Sequence, residues 1–167
     1  MLTVRNTKHV QPTPHATPDL PPPPVARLSA KQIADQLTLI GPKVSLDFLG
    51  EDSSGGPARM VHKRGPFPKL TASTFTDVVR KAFGFKDPAK VLGCEAYAPE
   101  RHQELWDCFG EDYAEGVEKL KKLLQGATIF TCVVDTRGAW KGTGFLLVQL
   151  KDGGLVGLRG EVAGMTL

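Results

Sequence analysis

A chain of 167 residues with 41% apolar and 23% charged residues is large enough for one globular domain, burying about 70% of its extended-chain surface. No run approaches the roughly 18 apolar residues that span a bilayer. The opening "MLTVRNTKHV" is interrupted by Arg5, Asn6, Thr7 and Lys8 and so lacks a secretory apolar core. The net charge of +3 is small enough that its distribution matters more than its sign.

Seven of the thirteen prolines lie in the first 24 residues, which end in "LPPPP". Residues 1–27 are therefore expected to form a disordered, partly polyproline-II extension, with an ordered domain over 28–167. In "LSAKQIADQLTLIGP", Ser29 is a good N-cap, Ile33, Leu37 and Ile40 recur at helical spacing, and Gly41-Pro42 stops the helix. "KVSLDFL" alternates Val44, Leu46 and Phe48 as a strand does, "GEDSSGGP" is a loop, and "ARMVHKR" reads as a second strand across from the first. "GPFPKLT" is another loop. "STFTDVVRKAFG" is a helix capped by Ser73 or Thr74, with Phe75, Val78, Val79 and Phe83 facing the core. Beyond Asp87-Pro88, "PERHQELWDCFG" is a short helix. "EDYAEGVEKLKKLLQG" is a longer one, with its acids first and lysines last, in keeping with the helix dipole.

Three strands complete the pattern: "ATIFTCVVD", "GFLLVQLKD" and "GLVGLRGEV", the last two joined by a hairpin signal at Asp152-Gly153-Gly154. The order α-β-β-α-α-α-β-β-β with hairpin-linked strands predicts an α+β domain, its largely antiparallel sheet covered by helices. "GTGFLL" and "GEDSSGG" match neither a Walker nor a dinucleotide loop, and the Gly-x-Gly of the former is read as turn geometry.

Catalytic chemistry has little to stand on. The histidines (His9, His15, His62, His102) are scattered and show no metal-ligand spacing. Cys94, Cys108 and Cys132 are odd in number and widely spaced, so they suggest neither a disulfide framework nor a zinc site. A reducing, cytoplasmic location fits them best, with Cys132 a small buried hydrophobe. Glu100, Glu104 and Asp107 would share a helical face, where solvated carboxylates are the simpler reading than a cation site. No enzyme activity and no cofactor or metal are expected.

The charges are segregated. Residues 59–90 hold eight bases against Asp77 and Asp87, and residues 95–118 hold eight acids against Arg101 alone. Such blocks are either solvated faces or surfaces matched to a partner. "RMVHKRGPFPK" at 59–69 is the one stretch suited to phosphates and would serve a weak nucleic-acid-binding domain. Trp106 lies among carboxylates in "QELWDCFGEDY", beside Phe109 and Tyr113; it is either core or an anchor for a cationic partner. Trp140, in "TRGAWKGTG", is either a lid over the sheet's end or an exposed anchor.

Three stretches together resemble the nuclease A inhibitor family: "IADQLTLIGPKVSLDFLGEDSSG", "ELWDCFGEDYAEGVEKLKKLLQG" and "FLLVQLKDGGLVGLRGEVAGMT". The resemblance implies a three-layer α-β-α sandwich that inhibits a sugar-non-specific, metal-dependent nuclease by plugging its active site; a monomer is expected. It implies that Thr166 reaches toward the catalytic metal and that Glu51 or Asp52 pairs with a basic active-site residue. It places Trp106 in the family's aromatic-plus-acid segment and leaves Leu167 as an extra residue after the terminal Thr. The implied partner is a nuclease, or another protein with a basic active-site surface. A small-molecule substrate and a membrane are not implied. The alternative is a protein-interaction or immunity-type module with a different partner.

Overall fold

The computed structural model describes residues 24–50, 56–85, 90–135 and 141–163. Among the described residues, five helices and a five-stranded antiparallel sheet form an α+β fold. The helices are α1 (Pro24–Arg27), α2 (Ala30–Ile40), α3 (Phe75–Phe83), α4 (His102–Trp106) and α5 (Ala114–Leu123). The strands are β1 (Arg59–Lys63), β2 (Lys90–Tyr97), β3 (Ile129–Asp135), β4 (Lys141–Gln149) and β5 (Leu155–Ala163), arranged β1-β5-β4-β3-β2. Among the described residues no helix is long and apolar enough to cross a membrane.

Alternation along the central strands feeds two apolar clusters. Leu146 and Val148 of β4 and Val156 and Leu158 of β5 join Ile33, Leu37 and Ile40 of α2 and Val117 and Leu120 of α5. Phe145 and Leu147 of β4 instead join Cys132 and Val134 of β3 and Phe75, Val78 and Val79 of α3. Each fully buried aliphatic or aromatic side chain contributes about 1.5–3 kcal/mol relative to exposure, so these stripes hold the helices on the sheet.

The α2 helix begins as its sequence indicates. Ser29 Oγ accepts from the Gln32 N–H at 3.1 Å, and Gln32 Oε1 accepts from the Ser29 N–H at 2.8 Å, which closes a capping box. The preceding turn α1 lies inside the stretch read as an extension. Val25 is partly buried against the first cluster, so the ordered chain extends at least to residue 24.

Two strand expectations change. Residues 44–48 form no strand: Val44, Ser45 and Leu46 are all buried in succession. Ser45 Oγ accepts from the Asp47 N–H at 3.2 Å and turns the chain into a 3-10 turn at Asp47–Leu49. Consequently β1 pairs not with that segment but with β5, Arg59 opposite Arg159 and Lys63 opposite Leu155. The fifth strand is β2, whose alternation is broken by a bulge between Leu92 and Glu95 and by Gly93 at φ 59°.

Neither Ser73 nor Thr74 caps α3 with its side chain. Thr74 Oγ1 donates to the Lys69 carbonyl at 2.6 Å and accepts from the Thr71 N–H at 2.9 Å, knitting the turn before the helix. The β4–β5 hairpin does turn at Asp152-Gly153, with Leu150 N–H bonded to Gly154 O at 2.8 Å. Gln149 ties the loop before α3 to this hairpin. Its Oε1 accepts from Leu70 N–H at 2.8 Å, and its Nε2 donates to Pro68 O at 3.1 Å.

Candidate functional site

One end of the sheet gathers the segments in question. Lys141 at the start of β4 pairs with Ala163 at the end of β5, and Lys90 at the start of β2 pairs with Asp135 at the end of β3. The chain on either side of 51–55, 86–89 and 136–140, and the chain leading to 164–167, meets the fold at this end. Glu51, Asp52, Trp140, Thr166 and Leu167 themselves lie outside the described residues, as do residues 1–23 of the proline-rich stretch.

Local packing fixes where two of those segments depart. Gly144 and Gly160 face one another across β4 and β5. With no side chains there, Leu46 lies over both, and Leu49 fits against Gly144 and between Val133 and Val162. The Gly-x-Gly of "GTGFLL" is thus not turn geometry. It lies inside β4, and Gly144 makes a slot for the Asp47–Leu49 turn. That turn delivers Gly50 directly onto the backbone of Ala163; a Cβ on Gly50 would collide with the Ala163 carbonyl oxygen. The residue before Glu51 and the last described residue before 164–167 therefore lie side by side.

Trp106 takes the core option. It is only 7% exposed, at the end of α4 in the first cluster. Its ring packs 5.7 Å from His102 and 6.1 Å from Phe109, and Phe109 packs 4.6 Å from Phe48. His102 Nε2 is anchored 2.7 Å from Ala127 O. This row of rings backs the Asp47–Leu49 turn and positions it from below.

The acids near Trp106 are exposed and partly engaged. Arg101 donates to both oxygens of Glu104, at 3.1 and 3.2 Å, and to Ala96 O at 2.9 Å. Arg101 thereby holds the Glu104 carboxyl below its usual range. Gln103 donates to Asp107 at 2.7 Å. Glu100 belongs to a 3-10 turn ahead of α4, so it does not continue the helical face of Glu104 and Asp107. Among the described residues no three His, Cys, Asp or Glu side chains are placed to hold a metal ion.

The other face of the same sheet end is more basic. Arg59 and Arg159 stand opposite each other in register and, with Gly56, Pro57, Thr143, Gly160 and Glu161, line a depression of about 450 Å³. Arg159 also lies over the Phe145 ring at 5.5 Å. His62, Lys63 and Arg64 are exposed along and just beyond the edge strand β1. The basic stretch was visible in the sequence. Its union with Arg159 was not, because nothing local indicates that residue 59 pairs with residue 159. No known protein family matches this chain, and no curated protein matches it.

Proposed function

We propose that the chain is a non-enzymatic, protein-binding inhibitor of the nuclease A inhibitor type, which plugs the active site of a sugar-non-specific, metal-dependent nuclease. The single observation that supports this most is the contact of Gly50 with Ala163. An inhibitor that uses a loop acid and the far end of the chain together needs both to leave the fold at one place. The two apolar clusters, with α2 and α5 in one and α3 in the other, support a three-layer α-β-α sandwich as the frame.

In this reading the Thr166 hydroxyl approaches the target's metal, a position that a phosphate oxygen takes during catalysis. Glu51 or Asp52 stands in for phosphate beside a basic residue of the target, as a carboxylate can when it accepts from a guanidinium. Leu167 adds apolar contact at the mouth of the site. Trp106 acts from within, through Phe109 and Phe48, by holding the turn that launches the loop.

Titration of the purified chain against a ββα-metal nuclease digesting plasmid DNA in magnesium tests the proposal, with a gel-retention lane lacking nuclease run in parallel. Stoichiometric protection without retention supports it. Complete digestion at a large molar excess overturns it. A second reading, weak nucleic-acid binding, is favoured by the Arg59–Arg159 pair and the exposed Lys63 and Arg64. Salt-sensitive retention of DNA, with protection only where DNA is coated, would select that reading instead.

A further inference from the structure

The bulge in β2 brings two cysteines together. Leu92 pairs with Val133 and Glu95 with Thr131, so Gly93 and Cys94 jointly oppose Cys132 of β3. Residues opposite one another on antiparallel strands have Cα atoms about 4.5–5.5 Å apart, within the span of about 4.4–6.8 Å that a disulfide bridges. The two thiols are close enough to influence each other's ionisation, and Thr76 of α3 lies close to Cys94. They are unlike in access: Cys94 is exposed and Cys132 is buried in the second cluster.

We propose that Cys94 is an oxidation site for hydroperoxides and that Cys132 is its resolving thiol, which together close a cross-strand disulfide. The Cys94 thiolate attacks one peroxide oxygen; the O–O bond breaks, hydroxide leaves, and Cys94 becomes a sulfenic acid. The Cys132 sulfur then attacks the Cys94 sulfur. The S–O bond breaks, and the hydroxyl leaves as water with the Cys132 proton. The sum is two thiols and one hydrogen peroxide giving one disulfide and two waters.

The surroundings suit these roles. The proximity of Cys132, followed by that of Thr76, outweighs burial and lowers the Cys94 pKa to about 7. The proximity of Cys94, then burial, pushes the Cys132 thiol up, so Cys132 keeps its proton until Cys94 is oxidised and its thiolate is gone. Cys108 is a built-in control: exposed, with its pKa raised by burial and by Asp107 and Glu104.

Limited alkylation of the native chain with iodoacetamide at pH 7, read by peptide mass, tests the reactivity. Cys94, whose pKa is lowered, holds more thiolate there than Cys108, whose pKa is raised, and its lower basicity offsets only part of that, so Cys94 should alkylate several-fold faster. Peroxide treatment followed by non-reducing peptide mapping tests the second step. A Cys94–Cys132 linked peptide, lighter by two hydrogens and reversed by dithiothreitol, is expected. In Cys132→Ala, Cys94 should instead stop at a dimedone-reactive sulfenic acid. Equal alkylation of Cys94 and Cys108, or peroxide oxidation of native Cys94 without the linked peptide, overturns the proposal. The native-chain mapping decides even if Cys132→Ala does not fold.

Discussion

Gly50→Ala adds one methyl group just before residues 51–55, and Gly56→Ala adds one just after them. The structure assigns these two changes opposite consequences. At Gly50 the new Cβ would overlap the carbonyl oxygen of Ala163 and press on its backbone nitrogen, atoms that no rotamer change can move aside. At Gly56 it would meet nothing within 4 Å. Forcing a methyl group into a packed contact costs about 1–3 kcal/mol. Among the described residues Ala163 is the last of β5, and only its pairing with Lys141 lies beyond that of Val162 with Gly142. The strand end can therefore yield, which places the cost near the lower limit, about 1 kcal/mol, or a fall in Tm of about 2–4 °C for a domain of this size. Gly56→Ala should be neutral or raise stability by up to about 1 kcal/mol, through the reduced freedom of the unfolded chain. Yielding at Ala163 separates the two chain segments. Under the proposed function, Gly50→Ala should weaken nuclease inhibition about tenfold while Gly56→Ala leaves it unchanged. Calorimetric melts and inhibition titrations of both variants check this. Equal Tm values, or Gly50→Ala at least as stable as the parent, would refute the reasoning about the contact.

Other substitutions probe the frame. Gly116→Ala should destabilise by about 1–3 kcal/mol in a denaturant titration, because its Cβ would press on Lys43 O and Val44 Cγ1 where α5 meets the chain after α2. Gln149→Met should cost about 1–3 kcal/mol, since it leaves the Leu70 N–H and the Pro68 carbonyl without their partner. Ser29→Ala should cost about 1 kcal/mol by opening the α2 capping box. The Glu115 carboxyl is held below its usual range first by its hydrogen bond from Lys43 and then by the charges of Lys43 and Lys119. A lowered folded pKa means that the charged form favours the fold above the ordinary glutamate range and that this benefit disappears as pH falls through the folded value. Melts of Glu115→Gln and the parent should therefore differ slightly near pH 7 and converge at low pH. A difference that grows on acidification would contradict the pairing.

Periodic burial was legible wherever one element carried it alone. Ile33, Leu37 and Ile40 announced α2, and the runs around Cys132, Phe145 and Leu158 announced β3, β4 and β5. What failed was pattern without context. Val44, Leu46 and Phe48 alternate like a strand, yet the buried Ser45 hydroxyl bends the chain, and the slot above Gly144 and Gly160 takes Leu46 and Leu49. "KVLGCEAY" was hidden as a strand because its bulge puts two residues where alternation allows one. The meeting of Cys94 with Cys132 follows from that bulge and so was equally hidden. Trp106 could be read as core or as anchor, because a ring flanked by acids looks the same in sequence either way; its packing against His102 and Phe109 decided for the core. The convergence of Gly50 with Ala163 joins positions more than a hundred residues apart and has no local signature.

The most direct test compares the full chain with one ending at Gly164, each titrated into a sugar-non-specific ββα-metal nuclease at fixed plasmid concentration. Melts of both chains establish that the shorter one keeps β5, which among the described residues runs to Ala163. Stoichiometric inhibition by the full chain, weakened about tenfold or more without Met165, Thr166 and Leu167, equivalent to at least about 1.4 kcal/mol of binding, is the expected result. Equal inhibition by the two chains, or none by either, would contradict the proposal that the end of the chain enters the nuclease site.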